Sequence, residues 1–281
     1  MSDISNVAVI GCGLLGGSII RALRKHRIRV FSWDKDEVVN QYCMAQLGCT
    51  VLQNDFADIS HVDVVVVCVP IDHMESVFKR IQPHITPHCL VTDVGSTKQR
   101  ICQIADSIFD NGNFVGAHPM AGSEKSGIMA SDEAIFIGKL CFITASSHAQ
   151  RHSIQVAKDF WSLISLKLVE VDPVEHDEIV AGVSHFPQCV ASLLSAFLLD
   201  ALPSEWGEYA GNGLRDTTRI AASNPDIWIP IIQENRENIQ KLLVGFKEKL
   251  AQADLLLQNN DLDAFKVLLE AGQIFRKDLD R

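Results

Sequence analysis

The 281-residue sequence predicts an α/β domain of the Rossmann, dinucleotide-binding type over residues 1–172, followed by an all-helical domain over 173–281. Three observations predict it. Short apolar runs alternate with helical stretches as far as Asp172, glycines crowd the end of the first run, and beyond "DPVE" no strand pattern returns. The predicted strands are "VAVIG", "IRVFSWD", "VDVVVVCVP", "CLVTDVG", "FVGAHPM", "KLCFITAS" and "LKLVEVD". Several are apolar throughout, the pattern of parallel strands buried on both faces. Helical segments such as Ser18–His26, His73–Ile85 and Lys98–Phe109 lie between them, so the sheet is expected to be mostly parallel with helices on both faces.

At "DPVE" Asp172 is the expected N-cap, Pro173 the first helical residue and Glu175 the capping-box partner. Helices are then expected over His176–Ala201, Trp206–Ala222, Pro225–Gln258 and Asp261–Lys277, with Asn224 capping the third. No linker rich in Gly, Ser or Pro separates the two halves.

A formal net charge of −10 argues against nucleic acid or an anionic membrane as the main partner. The longest unbroken apolar run, "VVVVCVPI", is too short to span a bilayer, and the N-terminus reads straight into a strand without a signal-peptide pattern. Of eight cysteines the closest two, Cys43 and Cys49, lie six apart; no C-x-x-C exists, and most sit in apolar runs as reduced thiols do. These totals describe a cytoplasmic enzyme or binding protein acting on a small molecule.

Gly11-Cys12-Gly13-Leu14-Leu15-Gly16 is G-x-G-x-x-G between a strand and a helix, and Asp34 ends the next strand. Gly11 permits the tight turn, Gly13 lets a pyrophosphate approach the backbone, and Gly16 lets the helix pack close. The helix start, with Leu14 and Leu15, offers unpaired N–H donors to phosphates. Asp34 would accept from ribose hydroxyls and repel a 2′-phosphate, favouring NAD; Lys35 beside it softens that repulsion.

Polar residues gather at the strand ends where a nicotinamide would lie. "DVGSTK" brings Asp93 and Ser96, the latter either a helix cap or a site residue. "GAHPMAGSEKSG" sets His118 before Pro119 in a rigid turn, which points to catalysis, and Pro70 ends a strand nearby. In "AGVSHFPQ", Ser184 and His185 precede Pro187, whose missing N–H disturbs the helix, a choice usually tied to a site. In "GLRDTTRIAASNP", Arg215 reads as solvated. Arg219, flanked by Ile220, Ala221 and Ala222, is expected to be partly buried and to bind a carboxylate. No cluster has metal-ligand spacing; His176 and His185, nine apart, fall on opposite sides of one helix.

Together "GCGLLGGS", "DVGSTK", "GAHPMAGSEKSG", "SHFPQ" and "DTTRIAASNPDIW" resemble the prephenate and arogenate dehydrogenases of tyrosine biosynthesis, in order and over nearly the whole chain. The resemblance implies NAD as cofactor and a homodimer interlocked through the helical domain. It also implies oxidative decarboxylation of a cyclohexadienyl acid, without a metal. It makes His118 the catalytic histidine, supported by Ser96. Arg219 would hold a substrate carboxylate, Ser184 and His185 line the pocket, and Glu124 close its entrance. Asp216 and Trp228 would brace Arg219 and the pocket wall. Many relatives carry a histidine where this chain has Gln188. Arg219, two histidines and the neutral Gln188 offer arogenate's ammonium no anionic partner, the nearby acids being Glu124 at the entrance and Asp216 beside Arg219. Prephenate is therefore the expected substrate, with arogenate the alternative and a slower substrate because Gln188 can also accept. Two rivals remain. A β-hydroxyacid dehydrogenase would need a helical lysine, and the second half has none before Lys241. A dinucleotide-sensing protein would have no use for His118, His185 and Arg219 together.

Overall fold

The computed structural model describes residues 4–122, 125–164 and 166–279. The chain divides into two compact units, residues 1–235 and 236–281. In the first unit, β1 (Asn6–Ile10), β2 (Arg29–Trp33), β3 (Thr50–Val51), β4 (Val64–Val67) and β5 (Leu90–Asp93) form a parallel sheet in the order β3-β2-β1-β4-β5. The connecting helices are α1 (Leu14–Leu23), α2 (Glu37–Leu47), α3 (Ile71–Ile81) and α4 (Gln99–Ile108). Side-chain alternation explains why β1 and β4 are apolar at every position. Val7, Val9, Val64 and Val66 enter one core with Ile19, Ile20 and Leu23 of α1, whereas Ala8, Ile10, Val65 and Val67 enter the other with Val77 and Phe78 of α3.

Strand order reverses between β1 and β4, and that switch point opens a crevice at the strands' carboxyl ends. The sheet continues past β5 through a single parallel bridge, Val91 to Phe114, into β6 (Val115–Pro119). β6 pairs antiparallel with β7 (Leu140–Ala145), the exception to the parallel pattern, and β7 pairs parallel with β8 (Lys167–Glu170) across α5 (Arg151–Leu163). All seven strands expected from sequence form; β3, two residues long, had no periodicity to betray it.

Asp172 caps α6 (Pro173–Val180) by accepting from Val174 N at 2.8 Å. The helix expected over His176–Ala201 starts earlier and widens into a π-helical turn at Ala181–His185 before α7 (Phe186–Ala201). Pro187 has no N–H to give the carbonyl four residues back, and the widened turn absorbs that loss. By length and composition the run 173–201 could cross a bilayer. It nevertheless buries His176, Asp177, His185 and Gln188, each of which is tied to other protein groups.

The single helix expected over Trp206–Ala222 is instead α8 (Asn212–Thr218) between 3-10 turns at Ser204–Tyr209 and Arg219–Ala222. Gly207, Gly211 and Gly213 deprive that stretch of helix propensity. α9 (Pro225–Glu234), capped by Asn224 on Asp226 N at 2.9 Å, ends at Asn235. The second unit is a helical hairpin of α10 (Arg236–Gln258) and α11 (Leu262–Asp278), turned at Asn260 with φ of 52° and capped by Asp261 on Ala264 N.

Candidate active site

The crevice at the switch point is a cleft of about 750 Å³, lined by Gly11, Gly13, Leu14, Leu15, Asp34, Pro70 and Ser96 among others. Its floor is the turn after β1. Gly11 has φ of +91°, and a Cβ there would lie 2.8 Å from the Cys68 carbonyl carbon at the end of β4. A Cβ on Gly16 would meet the Gly11 carbonyl oxygen at 2.0 Å, so Gly16 packs α1 against the turn and does not itself line the cleft. Gly13 has open space around its Cβ position, and no side chain caps the start of α1. The first N–H groups of α1 are therefore left uncapped beside open space at Gly13, a cradle that fits a pyrophosphate.

Asp34 stands at the mouth of the same cleft. Its carboxylate accepts from Cys12 N at 2.8 Å and Asp36 N at 3.0 Å, which fixes its direction beside Lys35. Arg80 lies 5.1 Å over the Trp33 ring and 4.6 Å over Phe56, closing that end with a flat cationic surface.

Beyond the cleft, β5 and β6 deliver the polar centre. Asp93 and Lys98, both fully buried, form an ion pair. The remaining lone pairs of Asp93 accept from Gly95 N at 2.7 Å and Ala117 N at 3.1 Å. This pair locks the end of β5 to β6 directly before His118. Ser96 is not the cap of α4, because Asp177 is: its carboxylate accepts from Lys98 N at 2.7 Å and Gln99 N at 3.0 Å. Ser96 is left in the cleft wall.

His118, 8% exposed at the end of β6, has Nδ1 2.9 Å from Nε2 of His176, and Nδ1 of His176 lies 2.8 Å from Asp177 Oδ1. Burial, reinforced by His176, Lys98 and His185, pushes the His118 pKa well below the ordinary imidazole value, so the ring is uncharged near neutral pH. His185, buried in the π-helical turn, is pushed down to about 4, chiefly by burial. Asn235 Nδ2 donates to the Asp177 carbonyl at 2.7 Å and lies 3.1 Å from His185 Nδ1. Because that nitrogen is a donor, Nδ1 of His185 accepts and the proton sits on Nε2, which has no partner and is buried. An unpaired buried donor of this kind is the sort of group a ligand oxygen satisfies. The His185 ring packs edge-on to Trp228, centroids 6.0 Å apart.

The other expected site residues fall less centrally. Ser184 is half-buried in the π-helical turn. Gln188 is buried, but its amide donates to Ile220 O at 3.0 Å and so anchors the 3-10 turn that begins at Arg219. Arg219 is exposed rather than partly buried, since α8 ends at Thr218 and the chain leaves the helix face there. Among the described residues no Asp216–Arg219 pair forms. Glu124 lies outside the described residues. His176, Asp177 and Asn235 were invisible to motif reading, because His118 and Asp177 are met across separations of 58 residues. Among the described residues no group of metal-ligating side chains occurs.

Comparison with known proteins identifies the family. Residues 19–170 match the family description "Prephenate dehydrogenase, nucleotide-binding domain" and residues 172–271 match "Prephenate dehydrogenase, dimerization domain". A prephenate dehydrogenase of Bacillus subtilis is 31% identical over 88% of this chain and 68% of its own length. A cyclohexadienyl dehydrogenase of Zymomonas mobilis is 27% identical over 100% of this chain and 99% of its own. The crystal structure of prephenate dehydrogenase from A. aeolicus, in complex with hydroxyphenyl propionate and NAD+, superposes with a TM-score of 0.92 at 27% identity, covering 99% of both chains. The chain belongs to the prephenate dehydrogenase family.

Proposed function

We propose that this protein catalyses the NAD-dependent oxidative decarboxylation of prephenate to 4-hydroxyphenylpyruvate, a step toward tyrosine. One observation carries the reading: an uncharged, buried imidazole, His118, ends the strand beside a cleft whose glycine cradle fits a dinucleotide. The Gly11–Gly16 turn and Asp34 would hold NAD, which when bound would supply the hydride acceptor.

His118 Nε2, the nitrogen not engaged by His176, accepts the proton of the ring hydroxyl as hydride leaves the same carbon. In the resulting dienone the bond to the opposite carboxylate breaks, its electrons pass through the ring to oxygen, and carbon dioxide departs. The proton held by His118 returns to the phenolate oxygen, so the products are phenol, carbon dioxide and reduced cofactor. His185 offers the unpaired Nε2–H as an uncharged donor to the substrate, and Ser96 supports the hydroxyl from the cleft wall. Arg219 is the cation assigned to a carboxylate, with Ser184 lining the same pocket and Gln188 anchoring the 3-10 turn that begins at Arg219.

Basic and neutral donors favour prephenate's keto acid over arogenate's ammonium. Asp34 and Asp226 are the carboxylates among the described lining residues, and Asp34 is engaged by backbone donors. The functional division is placed at Asp172, residues 1–172 holding NAD and 173–281 holding substrate and the dimer contact. A homodimer is supported by the match to a dimerization domain and by Leu193, Phe197 and Leu199 exposed on α7. A cytoplasmic setting is supported by eight cysteines that are all free.

The test is absorbance at the reduced-nicotinamide band with purified protein, NAD and either acid. Growth of the band with prephenate, at higher kcat/KM than with arogenate, is the expected result. No reduction with either compound overturns the function. A clear arogenate advantage overturns the substrate assignment and points to Asp226.

A further inference from the structure

His176 plays no part in the reaction as written, yet it is bonded to the base. Its Nδ1 faces Asp177 Oδ1 at 2.8 Å, and that carboxylate, fixed by the N–H groups of Lys98 and Gln99, can only accept. The proton on this edge therefore belongs to His176 Nδ1. A neutral imidazole protonated there presents a bare lone pair at Nε2, and that lone pair faces His118 Nδ1 at 2.9 Å. Two lone pairs cannot share that contact, so His118 must carry its proton on Nδ1. The lone pair of His118 is then on Nε2.

We propose that Asp177 and His176 form a relay that fixes His118 as the Nδ1–H tautomer and receives the charge when His118 acts as base. Both are positioning residues, and the proposal rests on the function given above. As the substrate O–H bond breaks, its proton bonds to His118 Nε2. The proton on His118 Nδ1 passes to His176 Nε2, and the positive charge settles on the imidazole whose other nitrogen already faces an anion. Reversal of both transfers returns the proton to the phenolate oxygen, so no other acid or base is consumed.

The surroundings explain why a relay is needed. His118 is desolvated, and the groups facing it are His176, His185 and Lys98. Lys98 is neutralised by Asp93, and His185 is uncharged. Asp177 is the anion within reach, and it reaches His118 only through His176. Phe142, 5.1 Å edge-on to His176, holds that ring in the bonded orientation.

Nitrogen-15 NMR of histidine-labelled protein with NAD bound reads the tautomer directly, since free histidine favours the proton on Nε2. The relay requires His118 to show Nδ1–H. His176→Gln keeps an acceptor for that proton without a path to Asp177, so it should retain the tautomer while kcat falls about 10-fold. His176→Phe removes the acceptor and should lose the tautomer, with kcat falling about 10²–10³-fold and the substrate KM within about 3-fold. Wild-type His118 found protonated on Nε2 overturns the proposal, as does wild-type kcat in His176→Phe. Should His176→Phe fail to fold, the wild-type spectrum and His176→Gln still decide. If prephenate is not turned over at all, the function fails while the tautomer independently reports on the relay.

Discussion

Lowering the pH should destabilise this protein through its own active site. His118, His176 and His185 are all buried in one cluster with pKa values pushed below the ordinary imidazole value, first of all by burial. For His185 the folded value is about 4, against about 6.5 in the unfolded chain. The unfolded chain therefore binds these protons first, so the cluster's contribution is present above about pH 6.5 and lost as pH falls toward the folded values. His185, still neutral at pH 5 in the fold, shifts the balance by about 2 kcal/mol between pH 7 and pH 5. His118 and His176, lowered by the same burial, add to the loss in the same direction. Urea midpoints followed by circular dichroism at half-unit pH steps measure this loss. His185→Gln should reduce the loss by about 2 kcal/mol, whatever it does to stability at pH 7. A wild-type loss below about 2 kcal/mol would mean that the folded cluster takes up protons as readily as the unfolded chain, and the reasoning would fail.

His118→Asn removes the proton acceptor and should lower kcat about 10²–10⁴-fold with KM nearly unchanged; near-normal turnover across pH would take His118 out of the chemistry. Asp34→Ser should raise kcat/KM with NADP and lower it with NAD, because one ribose acceptor and one repulsion disappear together; an unchanged cofactor ratio would place the ribose elsewhere. Asp93→Asn leaves the Lys98 ammonium buried without its counter-charge and should destabilise by about 3–5 kcal/mol. Lys98→Met leaves Asp93 its two backbone donors and should lose only about 1.5–3 kcal/mol in urea titration, and the reverse order would contradict the buried-pair argument.

What could be read in the sequence was what is local. The turn from β1 into α1, the cap at Asp172 and the cap at Asn224 are set by residues a few positions apart, and each formed as expected. The breaks in the helical half were less legible because they answer to distant partners. Asn235 ends α9 with its side chain drawn to the Asp177 carbonyl and His185, a demand that nothing near position 235 announces. His176 looked like one more polar residue on a helix, since its meaning comes from a histidine on another element. Adjacent His and Asp just inside a capped helix was the signal available, and it becomes informative only once β6 is known to end against it. Arg219 shows the converse: its apolar neighbours suggested burial, but they sit on a 3-10 turn that leaves the side chain in solvent.

The π-helical turn at Ala181–His185 acts as a gear between two parts of the molecule. One surplus residue in a helix rotates everything after it by about 100° relative to a continuous α-helix. Upstream of the surplus lie His176 and Asp177, facing His118; downstream lie His185 at the turn's end and then the exposed apolar side chains of α7. Were the same residues wound as a regular α-helix, His185 and Leu193, Phe197 and Leu199 would all turn away from their present bearings at once, whereas deleting Gly182 would remove the surplus and keep those bearings. The buried histidine cluster and the exposed apolar face of α7 are thus phased by a single wedge of backbone.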